Sequence, residues 1–151
     1  DLAAIVRRVA TGTRNAFDVT VETDLPERAP VVANAGLQSI VDNLLENAAE
    51  HNDADEPRIE VSIESVGEYV RLTVSDNGPG IPDDDRRAIE AGEETPLQHG
   101  TGLGLWLVYW TVSLLGGEIT ITDHEPGTKI VLTLPRASSQ TAAHRWSVDS
   151  Q

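Results

Sequence analysis

The chain has no cysteine, no methionine, one phenylalanine and one lysine among its 151 residues. Without cysteine it can form no disulfide, no thiolate metal site and no cysteine nucleophile. That composition suits a reducing compartment. Positive charge is scarce as well: 11 Lys and Arg stand against 25 Asp and Glu, a formal net charge of −14. Such an excess argues against a nucleic-acid backbone or an anionic membrane as partner, since both are polyanions. No apolar run approaches the ~18–20 residues of a membrane span, and no basic stretch followed by an apolar one opens the chain as a signal peptide would. Many carboxylates, the single Lys129 and few large apolar side chains together resemble salt adaptation, in which carboxylates hold water and long apolar Lys stems are avoided. The alternative is an ordinary acidic domain. The length fits one domain, able to bury about 68–70% of its unfolded surface and so to build a core without staples.

Hydrophobic periodicity then divides the chain. Leu2, Ile5, Val6 and Val9 recur at helical spacing, and Thr11-Gly12-Thr13 is expected to break that helix. Phe17, Val19, Val21 and Leu25 alternate with polar residues, a strand expected to stop at Pro26. Asn34 is placed to cap a helix from Ala35 to about Glu50, with Leu37, Ile40, Val41, Leu44, Leu45 and Ala48 on one stripe. Ile59, Val61 and Ile63 alternate, Gly67 turns the chain, and Val70, Leu72 and Val74 alternate again, predicting an antiparallel hairpin. Asp83 to Ala91 is a short acidic helix candidate, and Gly92 to Gly102 has the composition of a mobile loop. Leu103 to Leu115 is an apolar helix stopped by Gly116-Gly117. Strands follow at Ile119–Ile121 and Ile130–Leu134, and the Ser/Gln/Ala-rich residues 136–151 form an expected disordered tail. Strand hairpins with helices between them predict an α+β fold: a two-layer sandwich, one mixed and mostly antiparallel sheet with helices packed on one face.

Three segments have the composition of a binding site. Asn43 and Asn47 lie four apart, hence on one helix face a turn apart. An amide oxygen is a hard, neutral ligand suited to a Mg²⁺ ion shared with phosphates; two solvated helix asparagines is the plain alternative. Asp76-Asn77-Gly78-Pro79-Gly80-Ile81 follows an alternating strand directly. An acid at a strand end can accept from an exocyclic amine, and glycines admit a flat ring close to the backbone; Asn-Gly is also a plain turn signal. Gly100-Thr101-Gly102-Leu103-Gly104-Leu105 enters an apolar helix, where free N–H groups and the helix dipole favour an anion. It matches neither the dinucleotide-binding glycine pattern nor a Walker A loop.

In this order, with a Gly-Thr before the last strand, the segments resemble the Bergerat-fold (GHKL) ATPase superfamily of gyrases, mismatch-repair ATPases, a chaperone class and sensor histidine kinases. The resemblance covers about Leu2 to Pro135 and is strongest to the ATP-binding catalytic domain of a sensor histidine kinase, of haloarchaeal type by its composition. It implies a division into residues 1–13 (end of a linker or dimerisation region), 14–135 (catalytic domain) and 136–151 (tail). It further implies that Asn47 coordinates Mg²⁺ on the ATP phosphates with help from Asn43. Asp76 would accept from the adenine amine, Gly78, Gly80 and Ile81 would line the pocket, and Thr128 would reach adenine through water. Gly100, Thr101, Gly102, Leu103, Gly104 and Leu105 would wrap the phosphates, and residues 92–99 would form a lid.

The chain departs from the family pattern at four places. Glu50 stands where a phosphate-binding Lys is frequent, so Arg86, Arg87 or His99 would help meet the phosphate charge. His51 replaces an aromatic that stacks on adenine, a role imidazole can also fill. The phenylalanine-rich stretch before the lid is missing, Ile89 being the nearest equivalent. Asn43 occupies the position of the hydrolytic branches' Glu, and a neutral amide takes no proton from water. That favours transfer to a protein over hydrolysis. Neither His124 nor His144 has the setting of a phosphoacceptor, so the acceptor histidine is expected on an upstream dimerisation domain, with a response-regulator receiver domain as the final partner. No nucleic acid and no membrane contact by this domain are expected, and a cytoplasmic setting is. The alternatives are a non-catalytic nucleotide-sensing module and an anti-sigma-type serine kinase.

Overall fold

The computed structural model describes residues 1–32, 36–50, 52–78, 102–123 and 127–137. They form α1 (Leu2–Ala16), β1 (Thr20–Asp24), α2 (Leu37–Glu50), β2 (Arg58–Val66), β3 (Tyr69–Asp76), α3 (Gly102–Leu114), β4 (Glu118–Asp123) and β5 (Thr128–Pro135). The strands make one sheet in the order β1-β2-β3-β5-β4. β1 runs parallel to β2, and every other pair is antiparallel. This is the mixed, mostly antiparallel α+β sheet that the alternation predicts.

Period-two alternation sends one set of side chains from each strand to a common face. Ile63, Leu72, Leu132 and Ile119 line up across the sheet, and Val61, Val74, Ile130 and Ile121 form the next row. The helices cover this face. α2 buries Leu37, Ile40, Val41, Leu44, Leu45 and Ala48, and lies between α1 and α3 over β2 and β3. α1 adds Leu2, Ala3, Val6, Val9 and Ala10 to the same core, and α3 adds Val108 and Val112.

Several boundaries differ from the sequence expectation. The first helix does not break at Thr11-Gly12-Thr13 but continues to Ala16. Thr11 and Thr13 turn their hydroxyls to the carbonyls of Arg7 and Val9, each at 3.0 Å, so neither competes with the helix, and Thr13 is buried. A mid-helix glycine costs about 1 kcal/mol relative to alanine, less than the burial on either side of it supplies. Phe17 is the extended C-cap of α1, its N–H donating to Thr13 O at 2.9 Å, and the strand proper starts at Thr20. α2 is observed from Leu37; its expected start at Ala35 and the Asn34 cap lie outside the described residues, as do the acidic helix at 83–91, the loop at 92–101 and residues 138–151.

α3 ends as its glycines predict. Gly116 has φ +80°, Gly117 N–H donates to Val112 O at 2.9 Å and Gly116 N–H to Ser113 O at 3.1 Å. That bond pair is the Schellman motif. Gly117 then passes so close to β5 that a Cβ would lie 2.3 Å from Thr133 O. The outer face of α3 exposes Leu107 (45%), Trp110 (44%) and Leu114 (80%), one stripe at i, i+3 and i+7. Among the described residues, no helix is long and apolar enough to cross a membrane.

Candidate functional site

β3 carries an acid where its alternation calls for an apolar residue. After Val70, Leu72 and Val74, the next core-facing position is Asp76, level with Ile59 of β2. It is half-buried, and its Oδ1 accepts from Gly78 N–H at 2.9 Å. The register pairing Ser75 with Lys129 places Thr128, one residue on, opposite Asp76. Thr128 is buried at 5% exposure and shares the inner face with Ile130 and Leu132.

Two glycines shape this corner. Gly127 has φ +107°, and a Cβ there would fall 2.0 Å from Asp76 O and 2.9 Å from its Oδ1. Both the backbone conformation and the contact require glycine. At Gly78 a Cβ would meet Asp76 Oδ1 at 3.2 Å and Asn52 Cα at 3.3 Å. Asn77, between them, turns away from the pocket. Its Oδ1 accepts from Asn52 Nδ2 and Arg58 N–H, both at 2.8 Å, and its Nδ2 donates to Glu56 O at 2.9 Å.

The chain leaving α2 reaches the same corner at Asn52. Asn43 and Asn47 are both half-buried rather than solvated. Asn47 Nδ2 is, among the described residues, the buried side-chain polar atom that finds no hydrogen-bond partner. Leaving a buried amide unpaired costs about 1–3 kcal/mol. Rotation of the amide presents Oδ1 at the same place. Glu46 and Glu50 are exposed. The next helix, α3, packs on α2, with Gly102, Leu103, Gly104 and Leu105 forming its first turn. N–H groups of a first turn have no partner within their own helix.

The structure thus gathers Asp76, Gly78 and Thr128 at one sheet end, while Asn43 and Asn47 lie on α2, which packs on β3 and on α3, the helix that opens with Gly102–Leu105. His51, Gly80, Ile81, His99, Gly100 and Thr101 lie outside the described residues, as do Arg86, Arg87 and Ile89. Gly127, Asn52 and Asn77 join the neighbourhood without having been singled out as site residues. The steric need at Gly127 was hidden in what looked like an ordinary turn. Arg58 is not a free cation for phosphate. On the outer face it holds Glu22 at 2.6 Å and Glu60 at 3.0 Å, and its pKa is raised by the hydrogen bond to Glu22 and by the charges of both carboxylates, against the effect of burial.

Residues 33–138 match the family model of histidine kinase-, DNA gyrase B-, and HSP90-like ATPases, and the chain belongs to that family. Within it, the chain is a catalytic domain of the histidine-kinase type. It is 36% identical over 102 residues to the C4-dicarboxylate transport sensor protein DctB of Rhizobium meliloti, covering 67% of this chain and 16% of that protein. It is 32% identical over 135 residues to the nitrogen regulation protein NtrY of Azorhizobium caulinodans, covering 84% and 18%. Among solved structures, the ATP binding domain of PrrB from Mycobacterium tuberculosis superposes with a TM-score of 0.73 at 28% identity, covering 91% of this chain and 96% of that one. The chain therefore spans less than a fifth of the length of those two proteins. These relatives lend no support to a haloarchaeal, salt-adapted origin for the composition.

Proposed function

We propose that this domain binds Mg-ATP and passes the γ-phosphoryl group to a histidine on a dimerisation domain upstream of it. The observation that carries the reading is Asp76: a carboxylate at a core-facing position of a central strand, beside a glycine that leaves no room for a side chain. Such a group accepts from the exocyclic amine of adenine and would repel the carbonyl that guanine presents there. Gly78 and the buried Thr128 would complete that end of the pocket, and the family resemblance assigns Gly80, Ile81 and His51 to it as well.

The unpartnered amide of Asn47 fits a bound magnesium nucleotide. Asn47, assisted by Asn43, would hold Mg²⁺, an ion that retains several waters and binds through few protein ligands plus phosphates. Bound there, Mg²⁺ supplies charge neutralisation on the phosphates. The N–H groups of Gly102–Leu105 stand at a helix N-terminus and would bind those phosphates, with His99, Gly100 and Thr101 expected to join them from the family resemblance. In the transfer the γ-phosphorus exchanges its bond to the β-phosphate oxygen for one to an imidazole nitrogen, and ADP leaves. This chain contributes positioning and charge neutralisation, the main terms in phosphoryl transfer. Asn43 offers no base for water, which favours transfer over hydrolysis. Glu50 is exposed; together with the missing phenylalanine-rich stretch it motivates the alternative of a nucleotide-sensing module that binds ATP without passing phosphate on.

In this reading the partners are the histidine-bearing domain and, after it, the aspartate of a response-regulator receiver domain, in the cytoplasm where ATP is abundant. The division into residues 1–13, 14–135 and 136–151 is proposed on the same footing. The apolar stripe Leu107, Trp110 and Leu114, on the helix that begins at the phosphate loop, is the docking face for the histidine-bearing domain; exposed apolar clusters of this kind mark interaction sites. Calorimetric titration with ATP, with and without Mg²⁺, tests the central reading: saturable Mg-dependent binding supports it, and undetectable binding at millimolar nucleotide overturns it.

A further inference from the structure

Asn77 sits inside the Asp-x-Gly segment, yet among the described residues its side chain bonds to the α2–β2 loop and the start of β2. Its Oδ1 accepts from Asn52 Nδ2 at 2.8 Å and from Arg58 N–H at 2.8 Å. Its Nδ2 donates to Glu56 O at 2.9 Å. One side chain therefore ties two points of the α2–β2 loop, Asn52 and Glu56, and the first residue of β2, Arg58, to the end of β3. Asn52 reinforces the tie from within the loop, its Oδ1 accepting from Ala54 N–H at 3.0 Å. Gly78 lies against the Asn52 backbone, where a Cβ would be 3.3 Å from Asn52 Cα. Asn47 stands five residues before Asn52 on the same run of chain, and Asp76 is adjacent to Asn77.

We infer that the Asn52–Asn77 amide pair is a positioning clamp that fixes the spacing between the residue facing adenine, Asp76, and the residue facing the phosphates, Asn47. The inference rests on the nucleotide reading of the site. A nucleotide bound at both ends needs both ends at one separation, and misplacement on the order of 1 Å can cost about 100-fold in a positioned reaction. The clamp consists of neutral amides and can hold that separation without adding charge to a strongly acidic domain. It also gives Asn77 a role that a simple turn would not require, since a turn needs no contact with the preceding loop.

The test uses the whole chain with Asn77→Ala, Asn52→Ala and the double variant, titrated with Mg-ATP and Mg-GTP and melted in parallel. The expected result is about a ten-fold loss of ATP affinity in each single variant, with a matching fall in the ATP/GTP ratio. The loss in the double variant should fall short of the sum of the two single losses, because the bond between the two residues is shared. Asp76→Ala separates the two levels. If the wild type fails to bind ATP, or Asp76→Ala binds it unchanged, the nucleotide reading falls and the clamp with it. If Asp76→Ala loses binding while Asn77→Ala keeps ATP affinity and the ATP/GTP ratio within two-fold, the clamp alone is overturned. The same holds if the single variants lower the melting midpoint and leave that ratio untouched, which is what a purely structural amide pair would do.

Discussion

Asp76 and Gly127 define the site between them, and each makes a distinct demand. Asp76→Ala removes the group proposed to accept from adenine. A site built to pair an amine loses about 1–3 kcal/mol when one partner is removed, so ATP affinity should fall about 5- to 150-fold while the melting midpoint changes little. Calorimetry and a thermal melt on one sample separate the two outcomes, and unchanged affinity would place the pocket elsewhere. Gly127→Ala should do both kinds of damage. A non-glycine residue at φ +107° carries about 1–3 kcal/mol of backbone strain, and its Cβ would be driven into the Asp76 carbonyl. A variant that melts like the wild type and binds ATP normally would show that this corner is more open than its geometry implies. Asp76 was legible in the sequence because it extends the alternation of Val70, Leu72 and Val74 by one step. The demand on Gly127 was not, because the close approach comes from Asp76, which is far away in sequence and brought near only by the β3–β5 register. The Asn52–Asn77 bond was hidden for the same reason: a single-sequence pattern carries spacing along the chain, not contact across it.

At the level of elements, hydrophobic pattern carried most of the fold. β2, β3 and β5 bury the residues their alternation nominates, and α2 buries the stripe read from its spacing. The errors fell where local signals competed with burial. Gly12 and its flanking threonines look like a helix breaker, but Val9, Ala10 and Thr13 are buried around them and hold the helix together. Phe17 and Val19 look like the start of a strand, but the chain needs those residues to leave α1 before it can pair with β2. Gly116 shows the opposite case, a local signal that won. Its left-handed conformation closes the Schellman motif with nothing nearer than Pro135 Cγ at 3.6 Å to a Cβ. Gly116→Ala should thus lower stability by about 1 kcal/mol through backbone conformation alone, read as a lower urea midpoint with unchanged m-value and unchanged nucleotide affinity. The exposed stripe of α3 permits a complementary experiment. Leu107→Ser combined with Leu114→Ser should leave ATP binding intact, since both side chains are exposed at 45% and 80%. It should slow phosphoryl transfer to a histidine-bearing domain supplied in trans. Transfer at the wild-type rate would remove α3 as the docking face.

For the molecule as a whole, charge and connectivity matter most. In the proposed reading a chain of net charge −14 holds a polyanionic nucleotide, so attraction would come from local groups: Mg²⁺ on Asn47, N–H groups at the start of α3 and the dipole of that helix. Salt shortens the reach of the surrounding carboxylates, from a Debye length of about 10 Å at 0.1 M to about 3 Å at 1 M. ATP affinity should therefore hold or improve between 0.1 and 1 M KCl, and a steady decline across that range would show that long-range attraction is in use after all. Connectivity sets a different property. The short segment from Ala29 to Val32 is bonded to both ends of the folded region: Ala29 O to Leu2 N–H at 2.9 Å, Pro30 O to Ala137 N–H at 3.1 Å, and Val32 N–H to Pro135 O at 2.9 Å. Pro135 pairs with Tyr69, at the opposite end of β3 from Asp76, about 23 Å away at 3.3 Å per residue. Whatever is joined before Leu2 and after Ala137 thus meets the domain at one shared corner. That corner lies at the end of β3 opposite Asp76, so a turn of the domain about it would displace the Asp76 end most.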